Sequence, residues 1–127
     1  MREYGRAADL REALRLFQRR TEDVTAAHRL TPRIYQLLLM IKTGRSEAGH
    51  ATLAELEERL QLGKSTVTEL VLRAERRRLV RRDLDRARGR GISISLTAAG
   101  ERRLEAAFAE LGDERRRLST ILRGGAG

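Results

Sequence analysis

The stretch from Leu62 to Thr97, LGKSTVTELVLRAERRRLVRRDLDRARGRGISISLT, sets the tightest limit on what this chain folds into. It opens with Val67, Leu70, Val71 and Ala74 at helical spacing, an apolar face with polar residues around the rest of the circumference. It closes on Ile92-Ser93-Ile94-Ser95-Leu96, whose strict alternation belongs to a half-buried strand. Between them lie a basic run and a tip carrying Arg86, Arg88 and Arg90 with Gly89 and Gly91. Helix, strand, basic glycine-containing tip and returning strand describe a helix with a β-wing beside it.

Charge concentrates on the same segment. Residues 59–103 hold 13 Lys or Arg against 5 Asp or Glu, so +8 of the chain's net +9 lies there. A basic surface this local points to a polyanionic partner, because each phosphate contact releases condensed counterions. A solvated arginine-rich face would account for a lone basic run. It accounts less well for one that coincides with a helix and a wing.

The 127 residues suffice for one domain with a modest core. Aromatic side chains are limited to Tyr4, Phe17, Tyr35 and Phe108, which leaves little to stack on unpaired bases and argues against single-stranded nucleic acid. Cysteine is absent, which excludes disulfides, thiolate metal sites and thiol redox sensing. The N-terminal residues are charged rather than a hydrophobic run, and no stretch approaches the ~20 apolar residues of a membrane span. A cytoplasmic protein without a membrane partner is expected.

Before the wing, Leu10, Leu14, Phe17, Thr21, Val24 and His28 recur at steps of four and three on a helix expected from Ala7 to about His28. So narrow a stripe suggests packing against another helix. Thr31-Pro32 starts the next helix as N-cap and first-turn proline, and Ile34, Leu37, Leu38 and Ile41 form its buried face. Residues 43–51 lack periodicity and read as an exposed loop. Thr52-Leu53-Ala54-Glu55 reads as a capping box, with Leu53, Leu56 and Leu60 facing inward on a short helix. Gln61-Leu62-Gly63 is then the tight turn of a helix-turn-helix whose second helix starts at Lys64. After the wing, Thr97 caps a last helix expected to run unbroken to about Leu122. Leu104, Phe108, Leu111, Leu118 and Leu122 form its stripe, interrupted by Arg115.

From about Leu30 to Leu104 the chain resembles the MarR family of bacterial winged helix-turn-helix regulators. The strings that carry the resemblance are Leu30-Thr31-Pro32 with Tyr35 and Leu38, and Leu53-Ala54-Glu55-Leu56 with Leu60. They continue in Lys64-Ser65-Thr66-Val67-Thr68 with Leu70-Val71, then Leu79-Val80-Arg81-Arg82, then Ser95-Leu96-Thr97 with Gly100. Three positions depart from the family pattern. Arg78 stands where a glycine is usual, Arg88 stands where an aspartate precedes the wing arginine (matched by Arg90), and Glu69 stands where a basic or polar residue is frequent. The loop over residues 43–51 looks longer than usual.

The resemblance implies a mainly α fold with a small β-wing, a winged helix-turn-helix over residues 31–97. It implies a homodimer formed through helices at 7–28 and 98–122, the whole chain being one domain. It further implies double-stranded DNA as partner, with the recognition helix in the major groove and the wing along the minor groove, and a small-molecule effector for many members. Leu10, Leu14, Phe17, Leu104, Phe108, Leu111, Leu118 and Leu122 are the expected dimerisation residues, and the two stripes support such pairing independently of the resemblance.

The residue types fit DNA contacts. Lys64, Ser65 and Thr66 open the recognition helix, where hydroxyls, free amides and a cation suit phosphate. Thr68, Glu69 and Arg73 lie on its outward face as candidates for base edges, since arginine suits guanine and glutamate accepts from cytosine. A plain i,i+4 ion pair between Glu69 and Arg73 is the competing reading. Arg86, Arg88 and Arg90 at the tip suit a narrow minor groove or its phosphates. Arg76, Arg77 and Arg78 close a helix, where cations favour the dipole, and a structural duty is expected of them.

Nothing in the chain has the spacing of a catalytic or metal site. His28 falls on the apolar stripe as a core histidine, and His50 lies in the loop. Neither an enzyme nor a cofactor is expected. A sequence-specific transcriptional regulator, a repressor, is the reading to test. A winged helix that coats DNA without sequence choice and a winged-helix protein-interaction module stay open beside it.

Overall fold

The computed structural model describes residues 1–85 and 91–124. Helix α1 (Arg2–Ala27) leads to α2 (Pro32–Lys42), strand β1 (His50–Thr52), α3 (Leu53–Leu60) and α4 (Lys64–Arg76). Strands β2 (Val80–Asp85) and β3 (Gly91–Leu96) follow, then α5 (Ala98–Glu110) and α6 (Gly112–Gly124). The sheet is antiparallel in the order β1-β3-β2.

The core gathers around α2, as its spacing predicts. The Thr31 hydroxyl accepts from the Ile34 amide at 3.1 Å, and Pro32 occupies the first turn, where its missing N–H costs nothing. Ile34, Leu37, Leu38 and Ile41 are fully enclosed against Leu56, Val67, Val71, Leu79 and Ile94. Val67, Leu70, Val71 and Ala74 form the buried face of α4, again as predicted. β2 and β3 pair from Val80 opposite Leu96 to Asp85 opposite Gly91, which builds the wing.

Five sequence expectations need correction. The loop over residues 43–51 ends in β1, which pairs with β3 through His50 opposite Ser95, Ala51 opposite Ile94 and Thr52 opposite Ser93. Three residues are too few to show alternation, and only the buried Ala51 marks them as sheet. The capping box at α3 is half made. Thr52 accepts from the Glu55 amide at 3.1 Å, but the Glu55 carboxylate turns away to the Arg45 amide at 2.9 Å.

The C-terminal helix, expected to be continuous, breaks at Leu111-Gly112 into α5 and α6. Gly112 weakens the helix there, and Leu111 is sunk in the core. The Arg115 guanidinium donates to the Phe108 carbonyl, one of the last carbonyls of α5 that a helix end leaves without a partner, and lies 3.4 Å from the Phe108 ring centroid. The arginine that interrupts the stripe therefore clasps the bend. Finally, α1 starts at Arg2 rather than Ala7 and buries only Thr21, Val24 and Thr25. His28 at its end is bonded through Nε2 to Glu110 at 2.7 Å rather than packed as a core histidine.

Arg78 holds a left-handed backbone, φ 60°, just beyond α4. An L side chain pays roughly 1–2 kcal/mol for that conformation, and glycine adopts it freely. Arg78→Gly is therefore expected to raise the unfolding free energy by about 0.5–1 kcal/mol in urea titration. A fall instead would mean that the arginine side chain contributes more than its backbone costs.

Candidate nucleic-acid interface

The turn between α3 and α4 sets the direction of α4. Gln61 ends α3 in the left-handed region at φ 56°, and the Leu62 amide bonds back to the Glu57 carbonyl at 3.3 Å. Gly63 then precedes α4 in extended conformation without a side-chain cap. The first amides of α4 thus have no side-chain acceptor, and they open onto an exposed turn of Lys64, Ser65 and Thr66. Free amides, two hydroxyls, an ammonium group and the positive end of the helix dipole converge there, the chemistry that binds a phosphate.

Along the outward face, Glu69 and Arg73 are exposed and Thr68 is half-buried. Arg73 donates from Nη2 to Glu69 Oε1 at 3.1 Å, so the competing i,i+4 reading holds in the free protein. An exposed pair of this kind contributes only about 0.3–0.5 kcal/mol. It is easily exchanged for contacts to a polar partner. Arg77 donates to the Arg29 carbonyl, and Arg82 pairs with Glu75 at 3.0 Å to tie β2 to α4. These two arginines serve the fold, whereas Arg81 on β2 is exposed. The tip arginines Arg86, Arg88 and Arg90 lie outside the described residues.

The expected dimerisation residues divide in two. Leu104 and Leu111 are 3% and 1% exposed and belong to the protomer's own core, so they present no surface. Leu10, Phe17 and Leu118 are half-buried, while Leu14, Phe108 and Leu122 are exposed. The sequence sets Leu16 on the apolar side of α1, where it is exposed, whereas it gave no place in either stripe to Tyr4 or Ile121, both exposed as well. The three- and four-residue steps from Leu118 to Ile121 and Leu122 were the available signal for the last. α1 and α6 flank a groove of about 480 Å³ lined by Ala13, Leu16, Phe17, Leu118 and Ile121, with Arg20 bonded to Glu114 at 3.1 Å.

Beneath it, Phe17 and Thr21 of α1, Tyr35 and Leu39 of α2 and Arg115 of α6 enclose a cleft of about 430 Å³. Burial raises the Tyr35 phenol above its ordinary value and the Arg115 guanidinium opposes the shift, so the hydroxyl is neutral at physiological pH. Among the described residues no group of three or more His, Asp or Glu is placed to hold a metal ion, and no helix is long and apolar enough to cross a membrane.

Comparison with solved structures matches wild-type MarR from E. coli with a TM-score of 0.75, over 90% of this chain and 82% of that one, at 18% identity. The chain has the MarR fold. Two further matches carry the same architecture. AbsC, a MarR family transcriptional regulator from Streptomyces coelicolor, aligns at TM-score 0.71 and 25% identity, over 87% of this chain and 74% of that one. MepR from S. aureus, solved as a complex with DNA, aligns at 0.72 and 23% identity, over 87% and 76%. No protein-family model matches the chain, and no curated protein matches it in sequence.

Proposed function

We propose that the chain is a DNA-binding transcriptional regulator, a homodimeric repressor that reads a pseudo-palindromic site in double-stranded DNA. In this reading α4 enters the major groove, the wing follows the minor groove, and two copies of α4 lie about one helical turn apart. The observation that carries it is the first turn of α4. Lys64, Ser65 and Thr66 stand free of side-chain caps, on a helix whose apolar face is wholly buried, within the third of the chain that holds +8 of its charge. MepR, of the same fold, was solved with DNA, which supports the reading by analogy of architecture.

The terminal helices α1, α5 and α6 would form the dimer. Residues 31–97 would form the DNA-binding lobe, and a cytoplasmic location follows from the partner. An effector that releases the DNA would lie in the cleft beside Tyr35 and Arg115, between the terminal helices and α2.

Footprinting on genomic DNA would locate the operator. On that operator, Lys64→Ala is expected to weaken binding about 5–10-fold and to reduce the slope of log K against log salt by about one, as loss of one phosphate contact requires. Substitutions at Glu69 or Arg73 should instead change the preferred base pair, each worth about 1–3 kcal/mol of discrimination. A competition assay separates the architectural alternative. A sequence-specific regulator prefers its operator over random duplex by about a thousandfold or more, and an architectural protein binds both nearly equally.

A further inference from the structure

The α2–β1 loop, residues 43–49, is fastened more firmly than an exposed connection needs. The Gly44 backbone lies so close to β1 that a Cβ built there would sit 1.9 Å from the His50 carbonyl oxygen. Glu47 bridges to His50, and the Gly49 amide bonds to the Lys42 carbonyl at 3.1 Å. The Arg45 amide is held at 2.9 Å by the Glu55 carboxylate in the first turn of α3. Arg59 backs that carboxylate at 3.5 Å and donates to the Met40 and Thr43 carbonyls, both at 3.0 Å. The loop is thereby a rigid shelf built on α3, the helix that precedes the reading helix.

Its position matters as much as its rigidity. Thr52, which starts α3, lies opposite Ser93, two residues from the wing end of β3 at Gly91. The loop enters β1 at His50, opposite Ser95, but Ser46 and Glu47 share a small cleft with Thr52, Glu55 and Ser93. The loop's neighbouring cations are engaged, Lys42 with Glu101 at 2.9 Å and Arg59 with Glu55, whereas the exposed Arg45 guanidinium has no ion-pair partner among the described residues. The acidic Glu57 and Glu58 belong to the other half of α3, toward the turn.

We propose that this loop makes a third contact with DNA, in which Arg45 rests on a backbone phosphate beside the start of α3, apart from the contacts of α4 and the wing. The inference rests on the DNA-binding reading above and adds a residue to it. A preset amide and a braced backbone lower the entropy lost when the arginine is immobilised, so one phosphate contact there is worth holding.

The test needs no operator, because phosphate contacts also support binding without sequence choice. Binding to a fluorescent mixed-sequence duplex of about four helical turns is measured across a salt series for wild type, Arg45→Ala, Arg45→Lys, Lys42→Ala and Lys64→Ala. Arg45→Ala is expected to weaken binding about 3–10-fold and to lower the salt slope by about one, with Arg45→Lys recovering most of the slope and Lys42→Ala leaving it unchanged. Circular dichroism of Arg45→Ala should match wild type. If the wild type binds and Lys64→Ala lowers the slope while Arg45→Ala does not, the third contact is wrong and the DNA-binding reading stands. If the wild type fails to bind duplex even at low salt, both fall.

Discussion

Leu16→Glu combined with Leu122→Glu is expected to give a folded monomer that binds its operator at least a thousandfold more weakly than wild type. Both side chains are 62% exposed in the protomer, so exchanging them disturbs little of its own packing. In a twofold dimer each substitution acts twice, because the same patch faces itself across the axis. Burying a leucine stabilises an interface by about 1.5–3 kcal/mol, and an unpaired carboxylate in its place adds a desolvation cost of several more. Four such changes exceed what an interface of ordinary size can lose.

The effect on DNA follows from geometry. Under the proposed function a monomer holds one α4 and would read one half-site, forfeiting the local concentration that links the second half-site to the first. Analytical ultracentrifugation gives the mass, circular dichroism the fold, and a gel shift the affinity. A double variant that stays dimeric and binds as wild type would remove the terminal helices from the assembly.

The structure of α1 explains why its ends behave so differently. At 1.5 Å per residue, its 26 residues span roughly 39 Å. Only Thr21, Val24 and Thr25 are buried, and the Thr25 hydroxyl, fully enclosed, is satisfied by the Thr21 carbonyl at 2.7 Å. The first twenty residues have no such support from the protomer's core. An isolated helix of that length with few apolar contacts is marginal in water. Its apolar residues Leu10, Leu14, Leu16 and Phe17 are what a second helix would cover.

Much of this was legible in the sequence because burial imposes a period. The face Val67, Leu70, Val71 and Ala74, the cap at Thr31 and the alternation from Ile92 to Leu96 each record a local physical demand, and each is where the residues placed it. What escaped is non-local. β1 exists because β3 offers it an edge, which three residues cannot announce. Glu55 abandons its capping bond for an amide ten residues back in the chain, and only the folded loop brings that amide near. Leu104 and Leu111 share a helical stripe with Phe108, yet the bend at Gly112 and the approach of α1 bury the first two and leave the third at the surface. A one-dimensional stripe does not say which of two partners, the chain itself or its copy, will cover it. The site shows the same division. The exposure of Lys64, Ser65 and Thr66 follows from the position of a helix start, whereas the bracing of Arg45 depends on Glu55 and Arg59 of α3 meeting backbone groups of α2 and of the loop that follows it.

Gly100→Ala should be strongly destabilising, with a loss of about 3 kcal/mol or more in unfolding free energy. Helix propensity alone predicts the opposite sign, since alanine is favoured over glycine inside a helix by about 1 kcal/mol. The difference lies in what the methyl would meet. A Cβ at Gly100 would stand 2.1 Å from the Leu79 carbonyl oxygen and 3.0 Å from its carbon, and the obstacle is backbone rather than a flexible side chain. That carbonyl cannot swing aside. It accepts from the Thr97 amide at 3.0 Å, Leu79 itself is fully buried, and the Thr97 hydroxyl locks the same junction by donating to the Arg78 carbonyl at 2.6 Å while accepting from the Gly100 amide at 3.0 Å. Relief therefore requires α5 to slide away from the start of β2, which opens the core around Leu104 and Ala107. Gly5→Ala provides the control, because Gly5 lies in α1 with nothing within 4 Å of its Cβ position. There the propensity term acts alone and stability should rise by about 0.5–1 kcal/mol. Urea titrations of the two variants at equal protein concentration give the comparison. Gly100→Ala as stable as wild type would mean that α5 is not seated against Leu79, and the placement of the C-terminal helices on the winged helix would be lost with it.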